Sequence, residues 1–367
     1  MRVALVHDHL VQDGGAERVL RELQAVFPGA PTFTLLYDPK RMGGAFGDQD
    51  IRTSFLQDIP FARRRYQWFL PLMPSATEAY DLSEFDAVIS SSSAFAKGII
   101  TKPGTVHLCY CHTPTRYLWS DTHSYIQDLR VPGAIKKFLP PILSRLRVWD
   151  RMAAGRVDHF IANSKTVADR IRKYYERDSS VIYPPVDTEN FSVGTPSDYY
   201  LAGGRLVSYK RFDLIVDAFN RTGLKLKIYG DGPLHDDLVR VAKSNIEFVG
   251  RVNDVEKAKL YQGALAFINP QEEDFGITAI EAMASGRPVI AYRRGGATET
   301  VIEGVTGEFF DEQSWEELAS TIIRFNPKAY DPARIRAHAE TFDRKIFRAR
   351  IAEAVANAVK TQTKQTV

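Results

Sequence analysis

The chain has 367 residues, too many for one comfortable hydrophobic core, so two domains are expected. Its 44% hydrophobic and 25% charged residues exclude extensive disorder, and a formal net charge of only +3 excludes a general nucleic-acid footprint. The N-terminus MRVALVHDHL enters a strand directly, without the apolar core of a signal peptide, and no stretch approaches the ~18 uncharged apolar residues of a membrane span. The expectation is a cytoplasmic protein that is soluble or held peripherally at the inner face of the cell membrane. Cys109 and Cys111 are the only cysteines. One residue apart on a strand-like run, they point to opposite faces, which reads as two buried free thiols.

Strand-like runs alternate with amphipathic helices along the chain, the pattern of a parallel α/β fold. Val3–Val6 is the first expected strand, followed by a Gly14-Gly15 turn and a helix with Val19, Leu20, Leu23, Val26 and Phe27 on one stripe. Further strands are expected over 32–37, 87–90, 106–111 and 159–162, then over 199–202, 226–229, 247–249, 264–268 and 289–292. The two prolines of Ile182-Tyr183-Pro184-Pro185-Val186-Asp187 stiffen a segment that reads as a domain connector. A last helix over 344–360 carries Ile346, Phe347, Ile351, Val355 and Val359 on an apolar stripe, and the polar tail 361–367 is expected to fray.

Most motifs in the first half are weak alone. Asp13-Gly14-Gly15-Ala16-Glu17 lets the backbone approach a ligand closely, yet G-x-G-x-x-G is absent. Gly230-Asp231-Gly232 has His235 where a third glycine is needed, and no G-x-x-x-x-G-K-[ST] loop exists, so dehydrogenase and P-loop readings lose their support. His7-Asp8-His9 is a poor metal site because successive strand residues face opposite ways, and Asp48-Gln49-Asp50 reads as a turn. After the strand over 106–111, the loop with His112, Arg116, Tyr117 and Trp119 mixes imidazole, guanidinium and aromatics, as a sugar-binding lip would. The run Phe61 to Leu70 joins Arg63, Arg64 and Arg65 to aromatics, and Lys136-Lys137-Phe138-Leu139 and Arg145-Leu146-Arg147 extend the basic-hydrophobic character. Such a segment either lies on an anionic membrane or is a core helix with solvated arginines.

The second half is more specific. Gly203-Gly204 ends a strand, and Arg205 and Lys210 follow before a helix with Phe212, Ile215, Val216 and Phe219. Ligands of open parallel sheets bind beyond the carboxyl ends of strands, so these cations either clamp a diphosphate or are solvated surface charges. Glu273 and Glu281 are separated by seven residues across the start of a nearly uncharged helix that Gly286 and Pro288 stop. The acidic run Glu272-Glu273-Asp274 suits a helix N-terminus on electrostatic grounds alone. Glu281 falls on the apolar face, one turn after Ile277, where a carboxylate is costly unless something pairs with it. The N–H groups near Phe275, Gly276 and Ile277 form an anion site. An anion there and a diol at Glu281 together describe a sugar nucleotide.

These elements, in this order, resemble the retaining GT-B glycosyltransferases of the large group-1 family. The likeness runs over essentially the whole chain through Gly14-Gly15, His112, Asn163-Ser164, Tyr183-Pro184-Pro185-Val186-Asp187, Arg205 with Lys210, Gly230-Asp231-Gly232-Pro233 and Glu273 with Glu281. The loop Cys111-His112-Thr113-Pro114-Thr115-Arg116-Tyr117 also looks like bacterial mannosyltransferases of polysaccharide assembly. The resemblance implies an α/β GT-B fold of two facing Rossmann-like domains, with an acceptor-side domain over 1–184, a nucleotide-sugar-binding domain over 185–343 and a C-terminal helix and tail over 344–367 crossing back to the first.

It further implies catalytic roles for His112, Arg205, Lys210 and Glu273. Donor binding falls to Gly14, Gly15, Arg205, Lys210, Arg251, Phe275, Gly276, Ile277 and Glu281, with Glu281 on ribose, Glu273 on sugar hydroxyls, and Arg205 and Lys210 on the leaving diphosphate. Arg116, Tyr117 and Trp119 lie on the acceptor side. No metal or other cofactor is required by this analogy, because fixed cations and a helix N-terminus do that electrostatic work. Pro270-Gln271-Glu272 and Asp274 depart from the family's usual serine-containing turn and glycine. The expected activity is hexosyl transfer, with mannose from GDP-mannose, onto a lipid-linked glycan in polysaccharide biosynthesis, with peripheral contact to anionic membrane. The alternatives are a UDP-sugar donor, such as UDP-glucose or UDP-N-acetylglucosamine, and a catalytically silent scaffold.

Overall fold

The computed structural model describes residues 1–122, 126 and 133–365. The chain divides into two compact units, Met1–Tyr183 with Phe347–Val367, and Pro184–Ile346. The first carries a seven-stranded parallel sheet in the order β3-β2-β1-β4-β5-β6-β7. Its strands are β1 (Val3–His7), β2 (Thr32–Thr34), β3 (Ile51–Thr53), β4 (Ala87–Ser92), β5 (Val106–Cys111), β6 (His159–Ala162) and β7 (Ser179–Val181). The strand order reverses between β1 and β4, the crevice where open α/β sheets place ligands. Buried β4 reads AVISSS, and its serines are tolerated there because they hydrogen-bond: Ser90 Oγ lies 2.8 Å from His107 Nε2, and Ser92 Oγ accepts from the Lys97 amide. Helices α1 (Gly15–Val26), α2 (Gly133–Ala154) and α3 (Lys165–Tyr175) belong to this unit. The side chains of Lys137 and Phe138, part of the basic-hydrophobic reading, lie outside the described residues.

The second unit holds a six-stranded parallel sheet, β10-β9-β8-β11-β12-β13. Its strands are β8 (Tyr199–Gly203), β9 (Lys225–Tyr229), β10 (Ile246–Gly250), β11 (Ala264–Asn269), β12 (Val289–Tyr292) and β13 (Gly307–Phe310). The reversal falls between β8 and β11, the counterpart of β1 and β4. Helix α4 (Phe212–Thr222) buries the expected Phe212, Ile215, Val216 and Phe219. Helix α5 (Asp254–Gly263) starts on a reciprocal capping box between Asn253 and Glu256, and α6 (Ile277–Ala284) follows β11.

The last helix, α7 (Arg344–Gln365), packs with the first unit from Phe347 onward. Phe347, Ile351 and Val355 share one core with Leu5, Leu20, Leu23, Leu108 and Tyr110. Burying a side chain such as Phe347 contributes about 1.5–3 kcal/mol. Helix continues through 361–365, a stretch expected to fray, while Ile346 stays 38% exposed, off the stripe. The expected strand over 32–37 stops at Thr34, and Tyr37 pairs only through an isolated bridge to Leu10. Three strands have no counterpart in the sequence reading: β3, β7 and β13, each at an edge of its sheet. Both cysteines are buried and free. Among the described residues no helix is long and apolar enough to cross a membrane.

Candidate functional site

In the second unit, glycines clear the ends of β8 and β9. Gly204 (φ +130°) and Gly230 (φ +111°) adopt conformations closed to most side chains, and a Cβ on Gly230 would strike the Gly204 carbonyl. The chain then makes a tight turn over Ser208–Lys210, and Arg211 enters α4 with φ +53°, a left-handed conformation unusual for a non-glycine residue. Its guanidinium is held by Asp213 and, at 2.8 Å, by Gln313 Oε1. Gln313 Nε2 in turn donates to the Pro270 carbonyl at 2.8 Å. One side chain therefore ties the loop after β8 to the loop after β11.

Across that link, Lys210 Nζ donates to Glu273 Oε1, with both side chains about six-sevenths buried. Arg205 stays exposed. The loop carrying Glu273 is braced from below: Gly296 N–H donates to the Glu273 carbonyl at 2.8 Å, and Gly295 (φ +59°) packs against the same backbone. Gly276 (φ +94°) then opens α6, and no side chain caps that helix start. Phe275 is buried against Phe342, while Ile277 is half-buried. The structure thus gathers Lys210, Glu273, Gly276 and Ile277 around one uncapped helix N-terminus, where the macrodipole and amide groups favour an anion.

Glu281 is buried, as its place on the apolar face requires. Its partner escaped sequence reasoning. Lys257 Nζ of α5 donates to Oε1 at 2.9 Å, and the Tyr261 hydroxyl, one helical turn on, reaches Oε2 at 3.3 Å. Tyr229 extends the network through a 2.7 Å contact with the Tyr261 hydroxyl. Burial, then the neighbouring Tyr229 and Glu281, hold Tyr261 well above the usual tyrosine range, so it remains a neutral donor. Lys257 and Tyr261 stand four apart on one helix face, a spacing that sequence alone could have used to pair them but not to aim them at Glu281. Arg251, at the end of β10, is exposed and meets Asp231 at 3.0 Å.

In the first unit, Gly14 precedes α1 in extended conformation, and Gly15 is the first helical residue. Gly14 is snug: a Cβ there would sit 3.1 Å from Glu17 Oε2. Glu17 is buried beside His7, and both belong to a polar chain that reaches His112 through Ser91. Burial, followed by the proximity of His7, lowers the His112 pKa to about 4, so the ring is neutral near pH 7. Asp8, beside His7, accepts hydrogen bonds of 2.6–2.9 Å from four consecutive backbone N–H groups, Ser93 to Ala96.

A cavity of about 310 Å³ lies at these strand ends, with His7, His9, Glu17, Tyr66, Arg116 and Tyr117 among its walls. Trp119 does not line it. Its indole donates to Asp150 at 2.8 Å and stacks on Tyr174. Asp150 also takes Thr115 and the buried Lys97, anchoring the loop after β5 to the loop after β4. The Phe61–Leu70 run is exposed at Phe61 (75%), Trp68 (61%) and all three arginines.

Comparison with known proteins follows this division. Residues 13–190 match the family described as Glycosyltransferase Family 4, and residues 187–341 match Glycosyl transferases group 1. An uncharacterized glycosyltransferase of Methanocaldococcus jannaschii is 29% identical over 182 residues, covering 48% of this chain and 52% of that protein. The D-rhamnosyltransferase WbpZ of Pseudomonas aeruginosa is 29% identical over 203 residues, covering 50% and 52%. The chain spans about half the length of these two curated relatives. Among solved structures, Anabaena HepE in complex with UDP-glucose superposes with a TM-score of 0.70 at 18% identity, over 97% of this chain and 100% of that one. HepE is also solved with UDP, and with UDP and glucose. The expectation of a GDP-mannose donor is corrected by these structures, because the nucleotides held on the shared fold are UDP and UDP-glucose, as in the alternative reading. With the two family matches running from residue 13 to residue 341 over two parallel α/β units, the chain belongs to the GT-B-fold glycosyltransferases of the group 1 and family 4 type.

Proposed function

We propose that this protein is a retaining hexosyltransferase that takes its sugar from a UDP-sugar and passes it to a hydroxyl of a lipid-linked glycan. The observation that carries the reading is the Lys210–Glu273 pair beside the uncapped start of α6. A diphosphate seated there replaces Glu273 as the partner of Lys210, with Arg205 as the second cation. Glu273 is then released to a sugar hydroxyl, and the amides at Phe275, Gly276 and Ile277 receive phosphate oxygens. Lys210 and Arg205 stabilise the charge that grows as the sugar–phosphate bond breaks, so they act on turnover rather than on binding alone.

In the same reading Glu281 takes the ribose diol on the Tyr261 side, where its existing hydrogen bond is the longer one. Arg251 stands by the base. The first unit supplies His112, the Gly14–Gly15 turn and the acceptor end, with Arg116 and Tyr117 on the cavity wall and Trp119 bracing the loop. The exposed Phe61 and Trp68, interleaved with Arg63, Arg64 and Arg65, support peripheral contact with anionic lipid at the cytoplasmic face of the membrane.

A donor screen tests this function directly. Labelled UDP-glucose, UDP-N-acetylglucosamine and GDP-mannose are each incubated with the protein and a membrane lipid extract. Transfer from a UDP-sugar is expected. Transfer from GDP-mannose alone overturns the donor reading, and no transfer from any donor favours a silent scaffold.

A further inference from the structure

A buried chain of polar groups in the first unit ends on His112. Glu17 Oε1 lies 3.6 Å from His7 Nε2, His7 Nδ1 lies 3.1 Å from Ser91 Oγ, and Ser91 Oγ lies 2.8 Å from His112 Nε2. The first three residues are at most 3% exposed. They come from three separate elements, α1, β1 and β4, and nothing in the sequence places them together.

The Ser91 hydroxyl has one hydrogen to give and stands between two imidazole nitrogens. When it donates to His7 Nδ1, it must accept from His112 Nε2–H, and His112 Nδ1 is left as a bare acceptor. When His7 carries protons on both nitrogens, its Nδ1–H takes the Ser91 oxygen. The hydroxyl then turns to His112 Nε2, and the single proton of neutral His112 moves to Nδ1. The Glu17 carboxylate, 3.6 Å away, favours a hydrogen on His7 Nε2 in both states. Because His112 stays neutral above about pH 4, its tautomer rather than its charge is the variable. The groups acting on His7 are Glu17 from α1, Ser91 from β4, His112 after β5, and Asp8 and His9 beside it in the chain.

We propose that Ser91 is a positioning residue that locks the tautomer of His112 to the proton count of His7. The ring then presents Nδ1 as an acceptor while His7 is neutral and as a donor once His7 is charged. A sugar hydroxyl facing Nδ1 would have to turn accordingly, so the device selects which hydroxyl orientation the site accepts. Its use in transfer rests on the reading that His112 meets the donor sugar.

Long-range proton–nitrogen spectra of the full chain, with nitrogen-labelled histidine, read both rings without any substrate from about pH 5 to pH 8. The expected result is a shift of the His112 proton from Nε2 to Nδ1 at the midpoint where His7 charges. Ser91→Ala should abolish that shared midpoint, and Ser91→Thr, which keeps the hydroxyl, should restore it. In Glu17→Gln, which leaves Ser91 in place, the His112 crossover and the charging of His7 should still share one midpoint. A His112 ring that keeps one tautomer while His7 titrates, or a shared midpoint that survives in Ser91→Ala, overturns the proposal. Failure of the donor screen leaves these spectra untouched, so the two readings fail separately.

Discussion

The two units reverse their strand order at equivalent places and treat them in opposite ways. In the first, β1 runs into Asp8, whose carboxylate fills a cup of four backbone N–H groups in the loop after β4. In the second, β8 ends in Gly203-Gly204 with no side chain to insert, and the helix start after β11 is uncapped. Both reversals offer an anion seat, because the backbone amides there have no partner within their own element. The first seat is occupied by the protein's own carboxylate and serves stability. The second is bordered by Lys210 and Glu273, and in the proposed reading it takes a ligand's phosphates. On the proposed reading, topology provides two seats, and one aspartate against two glycines decides which of them binds.

The largest way to break this contrast is Asp8→Ala. Stripping a buried charge from its partners costs ~3–5 kcal/mol. Urea unfolding should show that loss in the transition of the first unit, while UDP binding to the folded protein is retained. Lys210→Ala is expected to do the reverse. Removing a donor aimed at developing charge lowers turnover about 10²–10³-fold, whereas stability should fall less than in Asp8→Ala, because the pair left broken is only partly buried. Full transferase activity in that variant would remove the electrostatic role assigned to the second seat.

Acid sharpens the comparison further. Burial pushes the Asp8 carboxyl up, but His7 and the amides of Ala96 and Ser93 outweigh it and hold the pKa below 3.8. A carboxylate depressed in the folded state contributes stability that is complete above its unfolded pKa and lost as pH falls through the folded value. The stability gap between wild type and Asp8→Asn should therefore close below about pH 4. A gap that persists at lower pH would mean the amide cup does not depend on the charge. The smallest effect is expected from Gln313→Ala, which cuts the Arg211–Gln313–Pro270 link and should cost about 1 kcal/mol. A few-fold fall in kcat/KM would show that the link aligns the two ligand-facing loops.

The central strands and the long helices were legible because buried parallel strands read as apolar runs and helices as 3.6-residue stripes. The edge strands were not. Ile51-Arg52-Thr53 and Ser179-Ser180-Val181 have one covered side and no apolar run, so periodicity carries no signal over three residues. At the site, Glu281 could be flagged as a charge needing a partner, but its partner Lys257 lies 24 residues upstream on another helix. The same limit hid Asp8. Its four donors are amides 85–88 residues away, and backbone amides leave no mark in composition. Lys210 with Glu273 was legible as a pair of roles. Their direct contact follows from the same proximity, since two opposite charges held side by side satisfy each other.

Amide hydrogen exchange with and without UDP tests the central claim most directly, because it reads both seats in one experiment. Saturating UDP should slow exchange across Gly276, Ile277 and Thr278 and across the Gly204–Lys210 turn, and leave Ser93 to Ala96 unchanged. Protection at Ser93–Ala96, or none at the start of α6, would contradict the assignment of the nucleotide to the second unit's open reversal.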